Sequence, residues 1–160
     1  MATEKLKFKL GLYATMWNKP PVADIYIDET SKYKKEITGT ESNPDVIEFE
    51  HDLEDGKNYN LVIKRSGKNK SQTVINEKGD ILKDQLLHIK SIEIDEIDIG
   101  SLIYEGVYTP QYPEPWATQQ REKGHELEKS FKNATKMGHN GEWSFSFGSP
   151  FYMWLLENLY

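Results

Sequence analysis

The chain of 160 residues contains no cysteine, and this absence excludes several kinds of chemistry at once. A protein without cysteine has no disulfide framework, no zinc ribbon, no iron–sulfur cluster and no thiol nucleophile. No apolar run approaches the roughly 18–20 residues of a membrane span, and the first ten residues lack the apolar core of a secretory signal. We therefore expect a soluble protein without a signal peptide or a transmembrane segment.

Positive charge is also scarce, because 20 Lys and Arg residues stand against 26 Asp and Glu residues. Nucleic-acid binding draws its affinity from clustered Lys and Arg, so this balance argues against nucleic acid as a partner. The basic stretch over residues 64–70 contains Gly and Asn and is interpreted as a solvated loop. No nucleophile elbow, P-loop or dinucleotide fingerprint occurs, and the pair His125-Glu126 lacks the second histidine of a metalloprotease helix.

The first hundred residues contain a series of short segments in which apolar and polar residues alternate. The apolar positions are Leu6, Phe8, Leu10 and Leu12, then Ala23, Ile25 and Ile27, then Ile47 and Phe49, and then Tyr59, Leu61 and Ile63. Turn-forming Pro, Gly, Asn and Asp residues separate these segments, and the period of two is typical of half-buried strands. We predict an all-β fold, an antiparallel jelly-roll-like β-sandwich over residues 1–102.

The alternation slips twice between residues 85 and 99. A slip of one residue moves side chains to the other sheet face unless a bulge or a turn absorbs it. We therefore predict a bulge near Ser91 and a tight hairpin turn at Asp95 and Glu96.

Residues 103–160 differ from the rest because they carry most of the aromatic residues. We predict that they form an extension packed on the sandwich as part of one structural unit, with one short helix and a hairpin. Residues 117–136 are the best helix candidate, and Trp143–Phe147 alternates as a strand. The final segment, residues 151–160, is apolar almost throughout and must be buried against this chain or a partner.

A long polar stretch before residue 84 offers a candidate metal site. Asn76, Glu77, Asp80 and Asp84 place four oxygen-bearing side chains within nine residues, which suits calcium with its six to eight oxygen ligands. The alternative is a solvated acidic loop without a metal. Trp17 stands on a turn, where it either contacts a ligand or closes one end of the core.

A catalytic alternative rests on two carboxylates, since a glycoside hydrolase needs only two on either side of the scissile bond. Glu93 and Asp98 fall where two strands would face each other. Acids that flank isoleucines are also typical of the wet face of a sheet, which is the simpler interpretation.

Four segments together resemble the calcium-dependent, xylan-binding type of carbohydrate-binding module. They are residues 17–28, 47–49, 55–63 and 83–94. The resemblance implies a jelly-roll β-sandwich in which glycan hydroxyls meet a loop-bound calcium, and Asp84 matches a position that supplies a calcium ligand. On this basis Asp84, Asp80 and Glu77 are predicted to hold calcium, while Trp17 and Asn18 line the sugar site.

The C-terminal region resembles a different group of proteins. Residues 104–110, 112–116 and 137–158 are similar to uncharacterised virion structural proteins of marine tailed phages, in which such a tail follows a sandwich of this kind. The two resemblances together imply a non-catalytic phage virion module, structural or adhesin-like, with glycan or other virion proteins as partners and no membrane contact. The alternatives are a purely structural assembly subunit whose apolar C-terminus docks on a partner and, third, a glycoside hydrolase.

Overall fold

The structure is a computed structural model, and it describes residues 3–17, 19–68, 74–78 and 81–159. The strands are β1 (Thr3–Thr15), β2 (Val22–Ile27), β3 (Thr30–Glu36), β4 (Asp45–Glu54), β5 (Asn58–Ser66), β6 (Val74–Ile75), β7 (Ile81–Lys83), β8 (Leu86–Ile94), β9 (Ile97–Asp98), β10 (Val107–Pro110), β11 (Phe131–Lys132), β12 (Lys136–Met137) and β13 (Gly141–Gly148). The helices are a 3-10 helix (Gly100–Glu105), α1 (Trp116–Glu122) and α2 (Phe151–Leu159).

Two antiparallel sheets pack face to face. One sheet has the strand order β12-β8-β1-β4, with β9 paired to β8, and the other has the order β11-β10-β13-β5-β2-β3. Their inward-facing apolar side chains form one core, in which the rings of Phe8 and Phe147 come from opposite sheets and lie 5.9 Å apart. This arrangement confirms the prediction of an antiparallel β-sandwich.

The predicted irregularities of β8 are also confirmed. The register between β1 and β8 passes from Gly11 opposite Ser91 to Leu12 opposite Ile89, which leaves one extra residue as a bulge. Further on, β8 and β9 pair across a two-residue turn in which Asp95 and Glu96 have φ angles of 53° and 66°. Two positive φ angles in succession are typical of the tight hairpin turns that match strand twist.

The C-terminal region is integrated more deeply than an extension packed on a finished sandwich. Strand β13 lies between β10 and β5 in the six-stranded sheet, and Trp143 on this strand is completely buried. The prediction of a helix over residues 117–136 is wrong, because α1 ends at Glu122 and Gly124 follows with a φ of 85°. Phe131 instead pairs with Tyr108 in the sheet.

The final segment forms helix α2, which covers the core at one end of the sandwich. Phe151 and Leu155 are buried, whereas Tyr152, Met153 and Leu156 are 49%, 61% and 61% exposed. The Glu4 carboxylate accepts a hydrogen bond from the backbone N–H of Phe151 at 3.1 Å and so caps the helix. No helix in the described ranges is long and apolar enough to cross a membrane.

The opposite end of the sandwich, which we call the loop end, gathers the loops that carry the predicted site. Strand registers place Thr15 opposite Leu86, Val22 opposite Ser66, and Arg65 opposite Gly141. The described parts of the connections that leave these positions are residues 16–17, 19–21, 67–68, 84–85, 111–115 and 138–140. They therefore meet at one end, opposite to α2.

Candidate functional site

A partly buried ion pair between Lys68 and Asp84 lies at the loop end. Lys68 Nζ is 2.8 Å from Asp84 Oδ1, and only 13% and 17% of the two side chains are exposed. Lys68 Nζ also donates a hydrogen bond to the Gly138 carbonyl oxygen at 2.5 Å. Asn140 clamps the lysine backbone, because its Oδ1 accepts from the Lys68 N–H and its Nδ2 donates to the Lys68 carbonyl. Because the pair is shielded from solvent, its electrostatic attraction is screened less than that of an exposed pair.

A buried arginine lies next to this pair. Arg65 donates to Asn140 Oδ1 at 2.8 Å and to the Gln85 carbonyl oxygen at 2.6 Å. Burial lowers the pKa of the Arg65 guanidinium to about 10, against the opposing influence of Tyr108 and then Asp84. The guanidinium remains charged at neutral pH, so the loop end holds two cations beside the Asp84 carboxylate.

Gln85 connects the loops to one another. Its side chain is completely buried, and Nε2 donates to the Lys19 carbonyl at 2.8 Å and to the Gly67 carbonyl at 3.4 Å. Within the described ranges, Gln85 Oε1 and Arg65 Nε are buried side-chain atoms without a hydrogen-bond partner. The buried cluster thus has one unpaired acceptor and one unpaired donor.

Three aromatic rings form a second part of the site, which we call the aromatic cluster. The His139 ring centroid lies 5.1 Å from that of Tyr112 and 5.4 Å from that of Trp116, and the latter two are 6.0 Å apart. The Tyr108 hydroxyl fixes the His139 backbone, since it donates to the carbonyl and accepts from the N–H. Burial lowers the pKa of His139, and Lys68 lowers it further. Trp116 remains 37% exposed and gives the cluster an open face.

Trp17 follows the end of β1 at the loop end and is 39% exposed, and its predicted contact with a sugar stays a prediction. Lys83 Nζ lies over its ring, 3.4 Å from the centroid, in a cation–π contact. A ligand that stacks on this indole must use the other face or displace Lys83. Asn18, the second residue predicted to line the sugar site, lies outside the described residues.

Two of the three predicted calcium ligands, Glu77 and Asp84, lie in the described part of the β6–β7 hairpin and directly after it. Glu77 is exposed in the turn between β6 and β7, Asp84 directly follows β7, and Asp80 lies outside the described residues. Because β6 pairs with β7, Glu77 is near the tip of this hairpin and Asp84 is at its base. Glu77 and Asp80 as calcium ligands stay a prediction.

With Lys68 in place, the described residues do not fit a calcium site at Asp84. Calcium takes six to eight oxygen ligands, but no group of three or more His, Asp or Glu side chains in these ranges is placed to hold a metal ion. The Asp84 carboxylate is already paired with the Lys68 ammonium. Gln85 Oε1 is an unpaired acceptor, but the same cluster also contains an unpaired donor, Arg65 Nε. A metal ion accepts no hydrogen bond, so it would leave this donor unpaired.

The two carboxylates of the hydrolase hypothesis do lie opposite each other. Glu93 and Asp98 are register partners in the β8–β9 hairpin. Glu93 Oε2 is 3.7 Å from Lys9 Nζ, and Asp98 Oδ1 accepts a hydrogen bond from the Gly100 N–H at 2.8 Å. Each of the two carboxylates therefore already has a partner on the solvent-facing side of the hairpin.

Sequence reasoning missed most of the polar side of this site. Lys68 falls in the stretch that is interpreted as a solvated loop, and no local pattern singles out His139 or Asn140. The one feature of the sequence that pointed to this site was the presence of Tyr112, Trp116 and the turn before β13 in the same C-terminal region. Their spatial meeting with Lys68 depends on the pairing of β13 with β5, which no local pattern reveals.

Comparison with known proteins finds similarity at the level of structure. No protein-family model and no curated protein matches this sequence. The structure of vCBM60 in complex with galactobiose is similar at 9% identity and a TM-score of 0.48, over 87% of this chain and 96% of that one. The selenomethionine form of vCBM60 is similar at 8% identity and a TM-score of 0.49, over 88% of this chain and 89% of that one. That structure is described as linking two families of calcium-dependent carbohydrate-binding modules by circular permutation.

Proposed function

We propose that this chain is a non-catalytic module that binds a glycan at the loop end of the sandwich. In this proposal Trp116, Tyr112 and His139 form the apolar surface on which a sugar ring stacks. The Lys68–Asp84 pair supplies a hydrogen-bond donor and an acceptor for sugar hydroxyls.

The observation that carries the proposal is the position of the aromatic cluster directly beside a charged pair. His139 follows Gly138, whose carbonyl accepts from Lys68, so the ring and the ammonium belong to one surface. A sugar presents C–H bonds on its ring face and hydroxyls at its edge, and it therefore needs an apolar platform flanked by a few fixed polar groups. The loop end offers both.

A place in a phage particle is part of the proposal and rests on the resemblance of residues 104–110, 112–116 and 137–158 to virion structural proteins. An adhesin-like component would present the loop end to glycans on a host surface. The position of α2 supports this orientation, because its exposed residues Tyr152, Met153 and Leu156 lie at the opposite end and are available to a particle protein.

The same helix favours the second candidate, a purely structural subunit. Three exposed apolar side chains on one short helix are unusual for an isolated soluble domain. A structural subunit would bind no glycan and would use α2 for assembly, so a glycan array separates the two functions.

A glycan array tests the proposal with three proteins. The wild type should bind at least one class of glycan, and Trp116→Ala should weaken that binding by about tenfold or more, because truncating a Trp contact commonly costs about 2 kcal/mol. Tyr104→Ala is the matched control, since Tyr104 is 50% exposed but lies in the 3-10 helix away from the loop end. It should bind like the wild type. A silent array for the wild type contradicts glycan binding and favours the structural subunit.

A further inference from the structure

Two oxygen atoms of different kinds converge on a single ammonium group at the loop end. Asp84 Oδ1 lies 2.8 Å from Lys68 Nζ, and the Gly138 carbonyl oxygen lies 2.5 Å from it. Carboxylate and backbone carbonyl oxygens are also the ligands that calcium takes, at about 2.3–2.6 Å. Both oxygens therefore contact one small cationic group at once, and in this protein that group is the Lys68 ammonium.

The surrounding charges disfavour a second cation at this position. Arg65 is held by Asn140, the same side chain that clamps Lys68, so the two cationic residues share one partner. Lys68 pairs directly with the Asp84 carboxylate and Arg65 interacts with it electrostatically, so two positive charges would repel a divalent ion beside Asp84. Lys68 and a metal also cannot occupy the same space.

We propose that the Lys68 ammonium takes the place of a divalent cation in this site, so that ligand binding at the loop end requires no metal. The role of Lys68 in recognition rests on the proposed function. An ammonium has three N–H donors, and its contacts with the described residues use two, on Asp84 and Gly138. The third donates to a ligand hydroxyl oxygen, which is the contact that a metal would otherwise make directly.

Thermal unfolding in EDTA and in millimolar calcium chloride tests the proposal without any glycan. The wild type should have the same Tm in both. Lys68→Met removes the ammonium but keeps the aliphatic stem, and this variant should gain calcium sensitivity because Asp84 and Gly138 lose the cation that their oxygens share and only the Arg65 charge remains to repel calcium. We expect its Tm to rise by about 3–6 °C when calcium exceeds its Kd tenfold.

Three variants control the measurement. Lys68→Gln tests whether the gain depends on the loss of charge rather than on methionine. The double variant Lys68→Met with Asp84→Asn should lose the calcium response, since the carboxylate is gone. Lys83→Met removes the lysine that lies over Trp17 and should remain indifferent to calcium.

Two results would overturn the proposal. One is a wild-type Tm that rises with calcium, which would mean that the site binds a metal in the presence of Lys68. The other is a pair of folded variants, Lys68→Met and Lys68→Gln, that both ignore calcium. If neither variant folds, the comparison of the wild-type Tm in EDTA and in calcium chloride decides the proposal alone. A silent glycan array would leave these melting results unaffected, so the two proposals fail separately.

Discussion

His139 is held between two aromatic rings and close to two cations, and this environment affects how the protein responds to pH. Burial lowers the pKa of His139, and Lys68 and Arg65 act in the same direction while Asp84 opposes them. Burial also lowers the pKa of two other histidines, which lie elsewhere in the sandwich, His51 and His88. All three favour the neutral imidazole in the folded state.

The sign of the pH dependence follows from these shifts. In the unfolded chain a histidine titrates near about 6.5, above its pKa in the fold, so the unfolded state binds more protons as the pH falls through that value. We predict that Tm decreases from about pH 7 downward, before the carboxylates titrate. His139→Gln should reduce the slope. A Tm that stays flat or rises as the pH falls from about 7 to about 6 contradicts the prediction.

At the residue scale the sequence indicated where the candidate site residues lie, but it did not indicate which side chains they contact. Trp17 and Asp84 both lie at the loop end, as their positions next to strand ends indicated. Their partners, Lys83 over the indole and Lys68 on the carboxylate, could not be predicted. A lysine in a polar loop has the same local pattern whether it is solvated or buried against an acid.

At the scale of elements, the turn at Asp95 and Glu96 concentrates backbone strain. Both residues have positive φ angles, a region that costs an L-residue about 1–2 kcal/mol relative to glycine. The Asp95 side chain offsets this cost, since Oδ1 accepts from the Lys7 N–H at 3.0 Å and Oδ2 accepts from the Tyr152 hydroxyl at 2.9 Å. Glu96 is exposed.

Glu96→Gly should therefore stabilise the protein. Glycine relieves the positive φ but loses more entropy on folding, so we expect a net gain of about 0.5–1 kcal/mol in the free energy of unfolding from urea titration. Glu48→Gly is the matched control, because Glu48 is exposed in the regular strand β4 opposite Lys9. The control should lose about 0.5–1 kcal/mol. Destabilisation by both substitutions would show that the turn is not strained.

Strands with regularly alternating apolar residues could be predicted from the sequence. Strands that form only because a neighbouring strand pairs with them could not. Strand β3 reads Thr-Ser-Lys-Tyr-Lys-Lys-Glu and has no apolar face, yet it pairs with β2 as an edge strand. Lysines on an edge strand oppose pairing with a strand of another molecule. They therefore suit an edge strand, although the hydrophobicity of the segment does not indicate a strand. The prediction of a helix over residues 117–136 was wrong because its local pattern was misleading. Leu127 and Phe131 have helical spacing, but Phe131 pairs with Tyr108 in the sheet.

At the scale of the whole molecule, the C-terminal region completes both the core and the site. Strand β13 pairs with β5 along its length, with Arg65 opposite Gly141. This pairing buries Trp143 and Phe145 and carries the turn at residues 138–140 to Lys68. Contacts between residues about seventy positions apart are fixed by topology, which explains why the sequence predicted an extension packed on the sandwich and not a strand within its sheet.

The same topology places the proposed recognition surface and the proposed assembly surface at opposite ends of the sandwich. The loop end holds the aromatic cluster and the Lys68–Asp84 pair, and α2 with its exposed Met153 and Leu156 lies at the other end. A rigid sandwich between them would hold a glycan site away from the surface that carries the module.

Heteronuclear NMR of the isotope-labelled protein, titrated with the glycan that binds best on the array, tests the site most directly. The account predicts that the Trp116 indole N–H and the backbone amides of His139 and Asn140 shift together, while the charged outer face of the five-stranded sheet stays unchanged. Shifts confined to that face, at Lys7, Glu48 and Glu50, would contradict a glycan site at the loop end.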